Sequence, residues 1–266
     1  MAFIEISGVS KSFSSGGEKR DVLSGASLSV ERGEFVSIVG MMGCGKSTFL
    51  KIVAGIIAPD AGRVEVGGSL VRGVQPNAAI VFQNYSLLPW FSALENVRLA
   101  VGAAFPDWTK ERQREQAARH LEAVGLGKAL QRRPSQLSGG MRQRVAIARA
   151  FATEPEILFL DEPFGALDAL TRESLQQELV RLSSSAHRPV TTVMITNSVE
   201  EALLLSDRIV PMTRGPHALG TPVRVDLRRP RTAGELMHDD HAAHVRAHVV
   251  ASLTRDLKPA TKQQVA

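Results

Sequence analysis

The stretch VSIVGMMGCGKST, residues 36–48, decides the fold of this chain. Its first five residues are mostly apolar and β-branched and end at Gly40, which is the pattern of a buried strand that feeds a loop. From Gly40 onward the stretch fits the spacing G-x-x-x-x-G-K-[ST], whose glycines let backbone N–H groups turn onto a polyphosphate at a helix start. We therefore predict a strand, a phosphate-binding loop and a helix from about Lys46 to Ala54.

Each polar residue of this loop suits a different task. The Lys46 ammonium can reach the β- and γ-phosphates of a nucleotide, and the Ser47 hydroxyl can coordinate Mg²⁺. Cys44, the single cysteine of the chain, could be a reactive thiol because a helix N-terminus lowers a thiol pKa. The favoured interpretation is a small residue that faces the nucleotide or packs beneath the loop. The predicted nucleotide contacts are Gly40, Met41, Met42, Gly43, Cys44, Gly45, Lys46, Ser47 and Thr48.

A second motif, EILFLDEP at residues 156–163, places two acids after a predicted strand. Ligands of parallel α/β sheets collect at the carboxyl ends of the strands. Asp161 can hold Mg²⁺, directly or through water, and Glu162 can polarise a water for attack on the γ-phosphate. Two acids alone would more often be a solvated strand end, but a phosphate loop in the same chain favours the functional interpretation.

The segment QLSGGMRQRVAIARA, residues 136–150, offers a second place for an anion. Ser138, Gly139 and Gly140 precede an amphipathic helix whose apolar face begins at Met141. A serine and two glycines at a helix N-terminus suit a phosphate group. One nucleotide does not need two such sites, but two copies that share their sites would use both.

Together these motifs resemble the nucleotide-binding subunit of an ABC transporter, over about residues 3–222. The resemblance implies an α/β P-loop NTPase fold: an ABC ATPase core with an antiparallel β subdomain and an inserted α-helical subdomain. It implies a nucleotide-binding domain at 1–222, with the helical subdomain at about 85–150. A C-terminal extension would occupy 223–266 and be partly disordered, in particular over KPATKQQVA at 258–266.

The resemblance also implies ATP and Mg²⁺ as cofactors and assigns further residues. Gln83 stands where the family's Q-loop glutamine contacts Mg²⁺ and the attacking water, so Ser47, Gln83 and Asp161 are the implied metal ligands. LSGGM, residues 137–141, matches the family signature, with methionine for the commoner glutamine. Asp168, in GALDAL, belongs to the D-loop. Phe13 matches an aromatic residue that stacks on adenine, although an ordinary strand phenylalanine remains the alternative.

The partners follow from the same resemblance. Two cassettes, identical or not, would pair head to tail, with two ATP between the phosphate loop of one and the signature of the other. Integral membrane permease subunits would contact NYSLLPWF, residues 84–91, unless this segment packs inside its own block. A substrate-binding protein would act indirectly, and no nucleic acid is expected. With no apolar run of membrane-spanning length, no secretory signal and a single cysteine, we expect a peripheral protein on the cytoplasmic side of the inner membrane.

Asn197 departs from the family pattern. The family usually carries Thr-His-Asp after the strand that follows the acidic pair, whereas this chain has Thr196-Asn197-Ser198. An amide can donate a hydrogen bond but cannot carry a positive charge. We predict normal ATP binding and hydrolysis slowed by a factor on the order of 10²–10³, unless asparagine serves adequately. A weak site would favour pairing with a non-identical cassette. Ser198 and Glu201 form a capping-box pattern that should preserve the helix start.

The sequence indicates the transported substrate less clearly than it indicates the reaction. QNYSLLPW, LSGGM and the TRGP turn at residues 213–216 resemble importers of the nitrate, sulfonate and taurine class. LSGGM and the RPR segment at 229–231 favour the nitrate, nitrite or cyanate branch, with sulfonates as the runner-up. Histidines at 238, 241, 244 and 248 could form a metal cluster, but a short polar helix with solvated imidazoles is favoured.

Three other classes remain as alternatives. A soluble ABC protein of DNA repair or translation would need a coiled-coil insertion or a second cassette, and this chain has neither pattern. A kinase with a phosphate loop does not explain LSGGM followed by ILFLDEP. A module that senses ATP without hydrolysing it is supported only by Asn197, and Glu162 argues against it.

Overall fold

The computed structural model describes residues 2–15, 18–185, 189–215 and 219–254. The predicted disorder at 258–266 therefore lies outside the described residues, as does Pro216 of the TRGP turn. The chain divides into two units. Unit 1 consists of Met1–Glu31, Phe35–Gly73 and Ile195–Ala266, and unit 2 consists of Arg32–Glu34 and Val74–Met194.

Strands and helices alternate along most of the described chain. The strands are β1 (Ile4–Ser15), β2 (Glu18–Val30), β3 (Phe35–Gly40), β4 (Ala61–Val66), β5 (Ser69–Leu70), β6 (Ala78–Val81), β7 (Ile157–Asp161), β8 (Thr191–Thr196), β9 (Arg208–Met212) and β10 (Val223–Arg224). The α-helices are α1 (Lys46–Val53), α2 (Ala93–Ala104), α3 (Lys110–Ala123), α4 (Gly139–Phe151), α5 (Ala169–Ser185), α6 (Val199–Leu205), α7 (Ala233–His238) and α8 (Asp240–Thr254).

Unit 1 contains an antiparallel sheet with the strand order β2-β1-β4-β5. Ile4 pairs with Val30 on one side and with Val66 on the other, and all three side chains are buried. Polar residues alternate with the apolar ones along β2, so one face of the sheet is buried and the other is solvated. This alternation is the period-2 pattern that directs apolar side chains to one face of a sheet.

Unit 1 also contains the strand that leads to the phosphate loop. Strand β3 is buried along its whole length and pairs in parallel with β9, which in turn pairs with β10. Helices α7 and α8 belong to the same apolar core, in which Val39 of β3, Leu203 of α6 and Val245 of α8 are buried together. The described part of the C-terminal extension thus shares a core with the loop-bearing strand, and a domain boundary at 222 stays a prediction.

Unit 2 combines parallel strands with a helical block. Strands β6 and β7 pair in parallel, and helices α2, α3 and α4 share a core in which Val97, Leu121 and Val145 are fully buried. The helical spacing of Ala117, Leu121 and Val124 predicts a helix within 108–126, and α3 spans 110–123. Gly125, with a φ of 73°, ends it in a left-handed conformation that favours glycine.

The helical pattern begins later than predicted. Residues 85–92 form turns and irregular backbone, and the first helix of the block starts at Ala93, with Ser92 as its cap. Over the described ranges, no helix combines the length and the apolar character needed to cross a bilayer.

Candidate functional site

In unit 1 the phosphate loop has the backbone geometry that its glycines allow. Gly43 and Gly45 have φ values of 77° and 106°, in the left-handed region that side chains disfavour. A Cβ atom added to Gly40 would lie 2.2 Å from the carbonyl oxygen of Met212. The loop can therefore turn tightly between β3 and α1 only with glycine at these positions.

Lys46 lies across this loop. Its side chain is only 4% exposed, and its ammonium donates hydrogen bonds to the carbonyl oxygens of Gly40 at 2.8 Å and Met41 at 3.1 Å. A buried cation is stabilised far better by an anion than by carbonyl dipoles. The ammonium and the positive end of α1 thus fit a polyphosphate. Ser47 is half-buried at the start of α1, and the loop tip at Met42 is 71% exposed.

The Cys44 thiol packs beneath the loop. It is 4% exposed, and a Cβ added to Gly40 would lie 2.8 Å from its sulfur. Burial raises the pKa of the thiol, and the nearby Lys46 ammonium opposes this only in part. These observations fit the favoured interpretation, a small residue packed beneath the loop, and not the reactive thiol, because loss of water outweighs the positive potential of the helix N-terminus.

Two further predicted residues of unit 1 are solvent-accessible. The Phe13 ring, on β1, is 43% exposed, and the Lys11 ammonium lies 5.7 Å from its centroid. An exposed ring beside a cation can accept a stacked base. Asn197 follows β8, and its exposed side chain makes no hydrogen bond to any described residue.

The predicted capping box at Ser198 forms only in part. The Ser198 hydroxyl accepts a hydrogen bond from the Glu201 N–H at 3.2 Å, as expected. The Ser198 N–H, however, donates to the Thr196 hydroxyl at 3.1 Å, and that hydroxyl donates to the Glu201 carboxylate at 2.6 Å. Thr196 thus stands between the two groups that a standard box joins directly, and the start of α6 remains satisfied.

In unit 2 the predicted acids lie at the end of β7. Asp161 is buried at 8% exposure, and Glu162 has a φ of 45°, which is unusual for a residue with a side chain. The Gln83 side-chain amide donates to the Glu162 carboxylate at 3.4 Å. A Cβ added to Gly165 would lie 3.8 Å from both polar groups. The fold therefore brings Gln83 and Glu162 together.

The signature residues form the start of α4. The Ser138 hydroxyl caps this helix by accepting a hydrogen bond from the Met141 N–H at 3.3 Å. A Cβ added to Gly140 would lie 2.4 Å from the Thr171 methyl group, so a side chain has no room there. The backbone N–H groups of this first turn keep the positive potential that suits an anion.

Asp168 begins α5. Its carboxylate accepts a hydrogen bond from the Thr171 N–H at 3.0 Å. That hydrogen bond is the largest of the effects that lower the Asp168 pKa. The side chain is exposed and stays ionised, so it can both cap its own helix and accept a donor from outside.

The segment at 84–91 has both exposed and buried side chains. Trp90 is 62% exposed, whereas Leu87 packs against the core of the helical block. Buried Asn96 shapes the segment: its side chain accepts from the Leu88 N–H at 2.7 Å and donates to the Phe91 carbonyl at 3.2 Å. Sequence patterns do not reveal this role of Asn96, because an asparagine in a helix is ordinary until its partners are known.

The tail histidines do not group as metal ligands. Among the described residues, no group of three or more His, Cys, Asp or Glu side chains could hold a metal ion. His241, His244 and His248 instead line an open groove of about 450 Å³ beside Arg224. His241 also accepts a hydrogen bond from the Asp226 N–H at 3.2 Å.

Known proteins are similar to this chain over most of its length. The family described as ABC transporter matches residues 23–165. The nitrate import ATP-binding protein NrtD of Synechococcus elongatus is 49% identical over 86% of this chain and 83% of its own length. The nitrate transport protein NasD of Klebsiella oxytoca is 44% identical, with 93% and 94% covered.

Other relatives differ in length or in cargo. The bicarbonate transport ATP-binding protein CmpD of Synechocystis is 47% identical over 90% of this chain and 84% of its own. CmpC of Synechococcus elongatus is 45% identical over 95% of this chain, but this chain covers only 38% of CmpC.

Solved structures show the same fold. The ATP-binding cassette MJ0796, determined as a dimer in a post-hydrolysis state with ADP and Pi, superposes with a TM-score of 0.74 at 30% identity. The match covers 85% of this chain and 100% of that one. With the phosphate loop, acidic pair and signature described above, these matches show that the chain has the P-loop fold of ABC ATPases and belongs to the ABC transporter family.

Proposed function

We propose that this chain is the ATP-binding and ATP-hydrolysing subunit of an ABC importer for a small anion, with nitrate or a nitrate-like ion as the favoured cargo. The observation that carries the hydrolytic part is the contact between the Gln83 amide and the Glu162 carboxylate. A glutamine amide beside a carboxylate at a strand end can orient a water molecule for attack on phosphorus.

The phosphate loop would bind the nucleotide. Its backbone N–H groups and the Lys46 ammonium would contact the phosphates, and the Phe13 ring would stack on the adenine. The Ser47 hydroxyl, the Gln83 amide oxygen and the Asp161 carboxylate are hard oxygen donors of the kind that Mg²⁺ prefers. When bound, Mg²⁺ would neutralise charge on the phosphate oxygens.

Glu162 would act as the base that polarises the attacking water. Its left-handed backbone sets the direction of the carboxylate, because the side chain of such a residue leaves the main chain at an unusual angle. Gln83 would hold the same water from the other side. The remaining chemistry is stabilisation of the charge on the transferred phosphoryl group, which Lys46 would supply.

The partners follow from the same proposal. A second cassette would place the Ser138–Gly139 turn of each copy against the nucleotide of the other, with Asp168 near the shared boundary. Exposed Trp90 would contact a separate permease subunit, because a large apolar side chain in a surface turn suits a protein interface. The chain would then lie at the cytoplasmic face of the inner membrane.

Relatives that carry nitrate or bicarbonate support a small planar oxyanion as cargo. Sulfonates and taurine remain the alternative. Uptake of labelled nitrate, bicarbonate and taurine by cells that carry the complete transporter would distinguish these cargoes, with a Glu162→Gln transporter as the inactive reference. Uptake that is unchanged by Glu162→Gln would contradict the proposal.

A second candidate is a cassette with weak hydrolysis that works beside a stronger, non-identical one. Asn197 favours it, because an exposed amide replaces the family's histidine and cannot carry a positive charge. The subunit composition of the purified transporter tests this candidate directly. Two identical copies of this chain would contradict it.

A further inference from the structure

The turn that follows Gln83 has an unusual backbone. Tyr85 and Ser86 have consecutive φ values of 63° and 46°, in the left-handed region that residues with a Cβ rarely enter. Local hydrogen bonds shape the turn: the Tyr85 N–H donates to the Phe82 carbonyl at 3.0 Å and the Ser86 N–H to the Asn84 carbonyl at 2.7 Å. Neither residue is glycine, so contacts outside the turn must stabilise this conformation.

Arg149, on the signature helix α4, supplies those contacts. One guanidinium nitrogen donates to the Tyr85 carbonyl at 2.8 Å and another donates to the Ser86 carbonyl at 2.6 Å. Burial lowers the pKa of this arginine, but the group remains charged, because an arginine side chain does not lose its proton in a protein. Over the described part of the chain, the charge has these two carbonyl dipoles as its hydrogen-bond partners.

The Tyr85 side chain contacts the opposite end of the same helix. A Cβ added to Gly139 would lie 3.3 Å from the Tyr85 hydroxyl, and the Arg142 guanidinium lies 5.4 Å from the centre of the Tyr85 ring. Helix α4 therefore holds the turn at two points: near its end through the backbone of Tyr85, and near its start through the ring.

We propose that Arg149 is a positioning residue that fixes the distance between Gln83 and the start of the signature helix. It holds Tyr85 and Ser86 in their left-handed turn, and the turn holds Gln83 on the Glu162 carboxylate. The catalytic part of this proposal rests on the proposed function, because the spacing affects turnover only if the chain hydrolyses ATP. The geometric part does not depend on it.

Hydrogen exchange of the full chain tests the geometric part. Arg149→Lys keeps the charge but reaches one carbonyl instead of two, so amides at 83–91 should exchange about ten-fold faster or more. Arg144→Lys is the matched control, since Arg144 lies on the same helix but contacts Glu178 and the Val124 carbonyl. It should leave exchange at 83–91 unchanged.

A glycine substitution tests whether backbone strain at Ser86 causes the faster exchange. In the Arg149→Lys background, Ser86→Gly should restore slow exchange, because glycine adopts φ near 46° without steric cost. Ser86→Ala also removes the hydroxyl but keeps the Cβ atom and its steric strain at positive φ, so this variant should not restore slow exchange. If Arg149→Lys does not fold, Ser86→Val with Arg149 intact serves instead, and it should accelerate exchange at 83–91.

The reaction supplies the second readout. In the assembled transporter, Arg149→Lys should lower kcat about ten-fold and leave KM for ATP within about two-fold, because an interaction that positions groups for the transition state affects turnover rather than binding. Ser86→Gly should recover that loss. A general folding defect would instead lower thermal stability and nucleotide affinity together.

The outcomes separate the two proposals. Unchanged exchange at 83–91 in Arg149→Lys, or equal rescue by Ser86→Gly and Ser86→Ala, would overturn the role of Arg149. Accelerated exchange with an unchanged kcat would overturn the positioning role. A wild-type transporter without ATPase activity would contradict the proposed function, and the exchange result would still decide the geometry of the turn.

Discussion

The side-chain amide of Gln83 and the carboxylate of Glu162 lie 3.4 Å apart, although 79 positions separate them in the chain. Gln83 follows β6 and Glu162 follows β7, and these two strands of unit 2 pair in parallel, so both residues lie at the same edge of the sheet. We expect Glu162→Gln to lower ATP hydrolysis by about 10²–10⁴-fold while ATP binding remains. Steady-state ATPase assays and nucleotide titration of the same preparation measure both effects. Glu173→Gln, an exposed change on α5, is the control, and equal losses in both variants would contradict the assignment.

Asn197→His should increase the ATPase rate of the transporter, by up to about 10²-fold, because an imidazole can donate a charged hydrogen bond to the γ-phosphate. Asn197→Gln keeps the amide and should leave the rate low. Measurement of ATPase activity for the three proteins side by side separates charge from side-chain length. An unchanged rate in the histidine variant would mean that asparagine serves adequately.

Leu121→Ala should destabilise unit 2 by about 2–5 kcal/mol, because the side chain is fully buried in the core of the helical block. Leu99→Ala, on α2, removes a side chain that is 48% exposed and should change stability by no more than about 0.5 kcal/mol. Urea unfolding followed by tryptophan fluorescence measures the difference, since both tryptophans, Trp90 and Trp108, lie in unit 2. Similar midpoints for the two variants would contradict the described core.

Asp60 should make unit 1 sensitive to acid. The Lys11 ammonium, followed by the Ser12 N–H and hydroxyl, lowers the pKa of this carboxyl from 3.8 to about 2. Because the folded pKa is the lower one, the unfolded chain takes up the proton first, and stability is lost as the pH falls from about 4 to 2.

Asp60→Asn removes this contribution. The wild-type protein should therefore exceed the variant in urea midpoint at pH 5, and the excess should shrink at pH 3 and below. A constant difference between the two proteins across this range would show that the ion pair of Lys11 and Asp60 does not govern the acid response.

Cys44 should react slowly with a thiol reagent in the folded protein. Its sulfur is buried, and the raised pKa leaves little thiolate at pH 7.5. Ellman's reagent should titrate one thiol rapidly in urea, because the chain has a single cysteine, and far more slowly without urea. Equal rates in the two conditions would contradict the packed position beneath the loop.

Local patterns predicted much of this fold. The apolar spacing at Ala117, Leu121 and Val124 predicted α3, and all three side chains are buried. The phosphate loop and the strand that leads to it were equally clear, since strand, glycines and lysine are adjacent in sequence. Such features depend on neighbours in the chain, which a sequence displays directly.

Features that depend on distant partners could not be predicted in this way. Arg149 donates hydrogen bonds to the carbonyls of Tyr85 and Ser86, which lie 64 and 63 residues before it in the chain. The raised pKa of Cys44 depends on packing that no local pattern reveals. The role of Thr196 in the cap of α6 could not be predicted either, because its hydroxyl contacts Ser198 and Glu201 only in the particular geometry at the end of β8.

The strand that carries the phosphate loop pairs with residues that are synthesised much later than the loop itself. The Phe35 N–H donates to the Asp207 carboxylate, 172 positions later, and β3 pairs with β9 along its length. On the ribosome, the segment Val74–Met194 emerges before β9 and can begin to fold as the larger part of unit 2. Unit 1 must wait. A nascent chain that ends before residue 208 would thus contain the whole phosphate loop without β9, one of the strands that pair with β3.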